Sequence, residues 1–310
     1  MKQIRDNIYF SNGNLLISGE YFVLIGAKAL AMPLKYGQQM NVKLINDENK
    51  RIHWNAHALN NPWFKAKFNS DNLDIIYSDH HEKAVWLQNV LRNIYKNSKI
   101  IDKKKSYNII CHIQFNTSWG WGSSSSLICN LASWANINPF ILNKNISPGS
   151  GYDIATSLSQ SPIYYQIIDD KPEIIPARFD PCSYDSIHFV YLGIKQDTMK
   201  SIKINHKAIL RNKSVVNVIS DLTEKIVNET NPDEFIRYIA EHEKIISRTL
   251  KMTTIKEKYF SDFDGGIKSL GSWGGDFIMT VSNQKDSYIK EYFKNKGLDT
   301  VFRLDEIIKN

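Results

Sequence analysis

Cysteine is scarce in this chain, and so are long apolar runs, clustered basic arms and metal-ligand spacings. The three cysteines, Cys111, Cys129 and Cys182, are odd in number and far apart among 310 residues. That is no disulfide framework, and it fits a reducing compartment. No segment approaches the ~18 consecutive apolar residues of a membrane span, and the opening MKQIRDNIYF lacks the apolar core of a signal peptide. A cytoplasmic protein without membrane association is therefore expected. Lys and Arg number 39 against 32 Asp and Glu, a net charge of +7, but the lysines are scattered among Asn, Ile and Tyr. Such a surface favours anions without forming a nucleic-acid patch, so no nucleic-acid partner is expected. His53 and His57 share a strand face but stand more than ~12 Å apart, too far for one ion.

What remains is an ordinary globular chain, 42% hydrophobic and 23% charged, of about two domains at roughly 150 residues each. Residues 8–10, 15–18, 38–45, 51–59 and 63–68 read as strands, several alternating with period two. A helix is expected from about Asp79 to Asn97, with Asp79 and Glu82 at N-cap and N3 spacing. The run YNIICHIQF at 107–115 alternates again, and a glycine and serine turn then leads into an apolar helix. IYYQII at 163–168 precedes DDKPEIIPARFDPCSYD, whose three prolines mark the expected junction. Beyond it lie a strand at 188–193, a helix striped by Val215, Ile219, Leu222 and Ile226, and a helix opened by Asn231, Pro232 and Glu234. A strand at 277–282, a helix at 286–297 and a strand at 301–304 follow. The fold class expected is α+β, divided at 1–180 and 181–310.

Four constellations carry chemistry. Gly120, Trp121, Gly122 and Ser123 to Ser126 stand between a strand and a helix, where two glycines permit close backbone approach and the helix aims unsatisfied N–H groups at the same place. A serine-capped helix would look the same. In SPGSGYDIA, residues 147–155, Asp153 meets an apolar segment; it is a candidate proton acceptor or a helix cap. KSLGSWGGD, residues 268–276, puts three glycines before a buried strand. Finally Gly19, Glu20 and Tyr21 interrupt a hydrophobic strand pattern that resumes at Phe22.

In this order the four resemble the motifs of the GHMP kinases, the family of galactokinase, homoserine kinase, mevalonate kinase and phosphomevalonate kinase. GWGSSSS at 120–126 resembles the family's G-L-G-S-S-A-A loop, and GSWGGD at 271–276 its G-A-G-G-G-D loop, with Lys268 where a lysine often stands. GEYFVLIGAKALAMPL at 19–34 resembles the N-terminal motif, its Gly-Glu-Tyr nearest to phosphomevalonate kinases. SGYDIA at 150–155 resembles the segment of the catalytic aspartate, nearest to a subgroup named for Gly-Tyr-Asp-Ile-Ala.

The resemblance implies a two-domain fold, an N-terminal α/β domain and a C-terminal ferredoxin-like domain with the active site in the cleft between them. It implies an ATP-dependent kinase using Mg²⁺, whose partner is a small-molecule substrate, mevalonate or 5-phosphomevalonate in isoprenoid precursor synthesis. Gly120, Gly122, Ser123, Ser124 and Ser125 would cradle the ATP phosphates, with Ser124 near the metal, and Asp153 would be catalytic. Gly19, Glu20, Tyr21, Ser150, Gly151, Gly271, Ser272, Gly274 and Gly275 would bind substrate. A homoserine-kinase-like or diphosphomevalonate-decarboxylase-like member, a catalytically impaired nucleotide-binding homologue, and a homodimer all stay open.

Three positions depart from the pattern. Asn14 follows Gly13 where the family usually has lysine. Residues 127–152 hold no Asp or Glu, where mevalonate and homoserine kinases place a metal glutamate. Trp121 and Trp273 replace small or slender residues inside the two glycine loops.

Overall fold

The computed structural model describes residues 7–147, 149–180, 186–194, 198–273 and 275–309. Cys182 and Gly274 lie outside the described residues. Packing gathers the chain into two compact units, one of Met1–Gly13, Tyr36–Thr117 and Trp121–Leu158, the other of Asn14–Lys35, Ser118–Gly120 and Ser159–Asn310. These units follow other lines than the consecutive stretches 1–180 and 181–310 of the sequence reading. Among the described residues no helix is long and apolar enough to cross a membrane.

In the first unit, Ile75–Ser78, Asn61–Asn69, Arg51–Ala58, Ser106–Ile113 and residues 36–45 of the strand Ala29–Ile45 are neighbours in that order. Arg51–Ala58 and Ser106–Ile113 run parallel, with Trp54 opposite Ile109; the other pairs are antiparallel. The period-two alternation turns Ile52, Trp54 and Ala56 inward. There they share one core with Leu87 and Leu91 of the helix His81–Asn97 and Leu131 and Trp134 of the helix Ser123–Ala135.

The expected cap at Asp79 is a correction. The helix starts at His81 with His80 at its N-cap and no side-chain cap, because both Asp79 oxygens accept the Lys65 backbone N–H, at 3.0 and 2.9 Å. A neighbouring strand captured the carboxylate.

In the second unit, Ile163–Ile168 and Lys171–Pro176 form a hairpin whose connecting residues Asp169 and Asp170 have φ of 49° and 59°, the left-handed pair of a tight two-residue turn. The proline-rich stretch read as a junction thus begins as a strand. Ile168 pairs with Lys171 across the turn, so in a two-residue hairpin Pro172, Ile174 and Pro176 face away from the partner strand. Two of those three outward positions have no N–H to offer, which blunts an edge otherwise open to pairing.

The same unit carries a four-stranded antiparallel sheet ordered Gly266–Ser269, Phe277–Val281, Ile187–Tyr191, Val301–Arg303. In chain order, helices lie between Ile187–Tyr191 and Gly266–Ser269 and between Phe277–Val281 and Val301–Arg303, a ferredoxin-like arrangement, as the resemblance implies. Asn231 caps the helix Pro232–Leu250 as read, its Oδ1 accepting from Asp233 N at 2.9 Å and Glu234 N at 3.2 Å. After Gly19, Glu20 and Tyr21 the strand does not resume at Phe22. Phe22–Ile25 is a short 3-10 turn, since Gly19 and Tyr21 take φ of 86° and 63° and Val23 N closes back on Gly19 O at 2.9 Å.

Candidate active site

The serine helix begins where the strand Ser106–Ile113 and its loop end. Gly122, at φ 75°, is its N-cap and has no side chain to occupy the first-turn N–H groups. The four serines divide by direction. Ser125 and Ser126 are buried and donate to Gly122 O at 3.0 and 2.9 Å; Gln38 Oε1, 3.1 Å from Ser126 Oγ, competes for the same hydroxyl hydrogen. Ser123 is half-buried and Ser124 exposed. The hydroxyls presented outward at this positive helix end are therefore those of Ser123 and Ser124, while Ser125 braces the turn.

Trp121 accommodates itself in the loop by turning inward. It is 1% exposed and packs against Tyr36 at 6.0 Å and Phe115 at 5.8 Å between ring centroids.

Asp153 lies in the first turn of the helix Tyr152–Leu158, just after Gly151 at φ 84°. That helix is tied to the serine helix by Ser157 Oγ donating to Ser125 Oγ at 3.4 Å and Cys129 Sγ donating to Ile154 O at 3.7 Å. Asp153 Oδ1 accepts the Ile154 N–H at 3.0 Å. Burial nevertheless raises its carboxyl above the ordinary carboxylate range, the direction that makes a carboxylate a better proton acceptor near neutral pH. Ser150 Oγ accepts the Tyr152 N–H at 3.4 Å, holding the turn.

The second unit assembles a different set. Segment Ser118–Gly120 docks through Trp119, whose ring lies 5.3 Å from Phe302, 6.1 Å from Phe277 and 6.3 Å from Tyr191. Gly120 is at φ 68°, and a Cβ there would meet Asp276 Oδ2 at 2.8 Å, so a side chain would be both strained and crowded.

Gly19 donates its N–H to His242 Nε2 at 3.1 Å. Burial and the Lys268 charge hold this imidazole well below the usual histidine range, so it is neutral and accepts at Nε2. Glu20, expected against the substrate, is 1% exposed and takes the Lys268 ammonium on Oε1 at 2.5 Å. Its Oε2 and His242 Nδ1 have no hydrogen-bond partner among the described residues. Burial raises the Glu20 carboxyl against the lowering effect of Lys268.

Tyr21 Oη accepts the Trp273 backbone N–H at 3.1 Å. Gly271 sits at φ 61° with open space where a side chain would go, and Ser272 and Gly275 are buried. Glu20 and Tyr21 are thus joined to Lys268 and Trp273, and Gly19 to His242, while Ser123 and Ser124 stand on a helix packed against the helix of Asp153, each set within its own unit.

Sequence reasoning missed His242 and Glu243. Both fall in the apolar stripe Phe235, Ile239, Ile246, Leu250 of the helix Pro232–Leu250. Polar residues at core-facing positions were the available signal.

No protein-family model and no curated protein sequence matches this chain. Solved structures do. Methanococcus jannaschii mevalonate kinase aligns over 99% of this chain and 99% of its own at TM-score 0.70 and 17% identity. Lactococcus lactis galactokinase, complexed with galactose, aligns over 97% and 93% at 0.65 and 14%. Streptococcus pneumoniae phosphomevalonate kinase, in complex with phosphomevalonate and AMPPNP, aligns over 96% and 100% at 0.64 and 14%. The fold is that of the GHMP kinases whose motifs the sequence resembles.

Proposed function

We propose that the chain is an ATP-dependent small-molecule kinase of the GHMP type, with mevalonate and 5-phosphomevalonate the first acceptors to test. The observation that carries this reading is a pairing inside one unit. A helix N-terminus with outward hydroxyls at Ser123 and Ser124 stands on the same packed helix pair as Asp153, a carboxyl held above its ordinary range. The backbone N–H groups and the positive helix end suit phosphate oxygens. Asp153 suits the proton of the acceptor hydroxyl, which leaves as that oxygen bonds to the γ-phosphorus and ADP departs. The turn at 19–21 and the 271–276 loop are assigned to the acceptor and its phosphate side by the resemblance.

The metal is compatible with these residues. Among the described residues no group of three His, Cys, Asp or Glu side chains could hold an ion. Nucleotide-bound Mg²⁺ does not require one, because it keeps several waters and binds through phosphates and one or two protein groups. Ser124 would hold it, and the ion would neutralise charge on the phosphates.

Three acceptors occur among proteins of this fold, so fold alone does not select one. Asp153 leans toward a hydroxyl: an alcohol needs a proton acceptor, whereas a phosphate ionised at neutral pH does not. The test is ADP release with Mg-ATP against mevalonate, 5-phosphomevalonate, homoserine and galactose. Turnover of one acceptor that Asp153→Ala abolishes is expected. ATP binding by calorimetry with no ADP from any acceptor would favour a non-catalytic nucleotide-binding protein.

A further inference from the structure

Trp273 stands where the resemblance expects a glycine, and its surroundings give it a purpose. We propose that the Trp273 indole anchors the turn at 270–273 and that Glu243 is the positioning residue that holds it. The consequence for catalysis rests on the kinase reading above; the consequence for the turn does not.

The indole is 3% exposed. Its Nε1–H donates to Glu243 Oε1 at 3.2 Å, and Ser269 Oγ donates to the other oxygen, Oε2, at 3.1 Å. On the backbone side, the Trp273 N–H is taken by Tyr21 Oη at 3.1 Å. The ring also packs in one cluster with Tyr21, Ile246 and Leu250. A small residue at 273 would keep the backbone bond and lose both the indole bond and the packing. Of the two bonds that Trp273 itself makes, only the backbone one would then remain.

Several charged or titratable groups surround Glu243. Lys268 lies 3.8 Å from Oε1 and bridges to Glu20, and His242 precedes it on its own helix. Lys244, Lys256 and Glu257 line with it a cavity of about 240 Å³. Burial pushes its carboxyl up to about 7, against the pull of Lys268 and with a further rise from Glu20. An indole can only donate, so a proton on Oε1 would break its bond. A proton on Oε2 is met by Ser269, whose hydroxyl turns from donor to acceptor. The proton therefore settles on Oε2, and the indole bond passes from charge-assisted to neutral, roughly half as strong.

The test uses the full chain and the variants Trp273→Phe, Glu243→Gln and Glu243→Leu. One measurement is backbone hydrogen exchange in the peptide covering residues 270–276. The other is Trp273 emission, taken as the difference between proteins with and without Trp273→Phe, across neutral pH. Exchange should quicken on the order of tenfold in Glu243→Leu and stay closer to wild type in Glu243→Gln, which keeps an acceptor for the indole. The emission difference should titrate near pH 7 in wild type and be flat in the Glu243→Gln background. Unchanged exchange in Glu243→Leu, or a transition that survives Glu243→Gln, overturns the proposal. Should Glu243→Leu fail to fold, faster exchange in Trp273→Phe and the lost transition in Glu243→Gln decide the matter. With an acceptor in hand, kcat should fall about tenfold in Glu243→Leu and recover in part in Glu243→Gln. Slower turnover without a change in exchange removes the anchor and leaves the kinase. Faster exchange in a protein that turns over no acceptor removes the kinase and leaves the anchor.

Discussion

Lys268 Nζ and Glu20 Oε1 meet at 2.5 Å with both side chains at most 1% exposed, joining positions 248 residues apart. The pair fastens the 19–21 turn to the strand Gly266–Ser269 inside one unit, and Glu243 at 3.8 Å brings a second carboxylate to the same ammonium. Removing Lys268 would leave two buried acids facing each other without a counter-charge. Lys268→Met should therefore cost about 3–5 kcal/mol, and Glu20→Gln combined with Lys268→Met distinctly less than the lysine variant alone. Urea midpoints of the three proteins check this. A loss below about 1 kcal/mol for Lys268→Met would mean that water or rearrangement compensates the acids.

Asp153 gives the sharpest test of the chemistry. Asp153→Asn keeps an oxygen for the Ile154 N–H but cannot accept a proton, so kcat toward a hydroxyl acceptor should drop by about 10²–10⁴ while ATP affinity changes little. Toward an acceptor phosphate the drop should be much smaller, since that oxygen carries no proton to remove. Because burial raises the Asp153 carboxyl, the acid limb of kcat/KM should lie above the ordinary aspartate range, with activity lost as pH falls through it. Steady-state kinetics across pH decide. Equal activity of the wild-type protein and Asp153→Asn toward an alcohol would remove Asp153 from the mechanism.

Gly120 is constrained twice over. Its φ of 68° disfavours any side chain, and the Asp276 carboxylate occupies the place of a Cβ at 2.8 Å. Gly120→Ala should destabilise by about 1–2 kcal/mol from the backbone alone, with more from the contact, and should weaken ATP binding. Adding Asp276→Ala should relieve the contact and leave the backbone cost. Thermal unfolding of Gly120→Ala, Asp276→Ala and the double variant separates the two, and a Gly120→Ala cost that is the same with and without the Asp276 side chain would show that the contact is unimportant.

Legibility in the sequence followed the range of the forces involved. Asn231, Pro232 and Glu234 marked a helix start correctly because the cap is satisfied within four residues of chain. Asp79 carried an equally good local signal and failed, since Lys65 on a neighbouring strand competed for its oxygens. The prolines at 172 and 176 suggested a junction, yet they suit an edge strand whose outward positions need no donor. At the candidate site, the glycine turns and serines were visible as motifs. The burial of Glu20 on Lys268 and the service of Glu243 to Trp273 were not, because each depends on a partner 248 or 30 residues away.

Glu243 also leaves a mark on stability whose sign follows from linkage. Its carboxyl is pushed up to about 7 in the folded chain from an ordinary 4.5. Between those values the folded state binds a proton that the unfolded state has released, so stability falls as pH rises through this window, by up to about 1.4 kcal/mol per pH unit. Glu243→Gln carries no such proton. Asp153 is raised in the same direction but is common to both proteins and cancels in the comparison, whereas Glu20, whose charge raises Glu243, titrates with it as a coupled pair. Relative to Glu243→Gln, the wild-type protein should therefore be favoured near pH 5, lose ground toward pH 7 and level off above it. Urea midpoints of both proteins over that range measure the gap, and a gap independent of pH would place the proton elsewhere in the cluster.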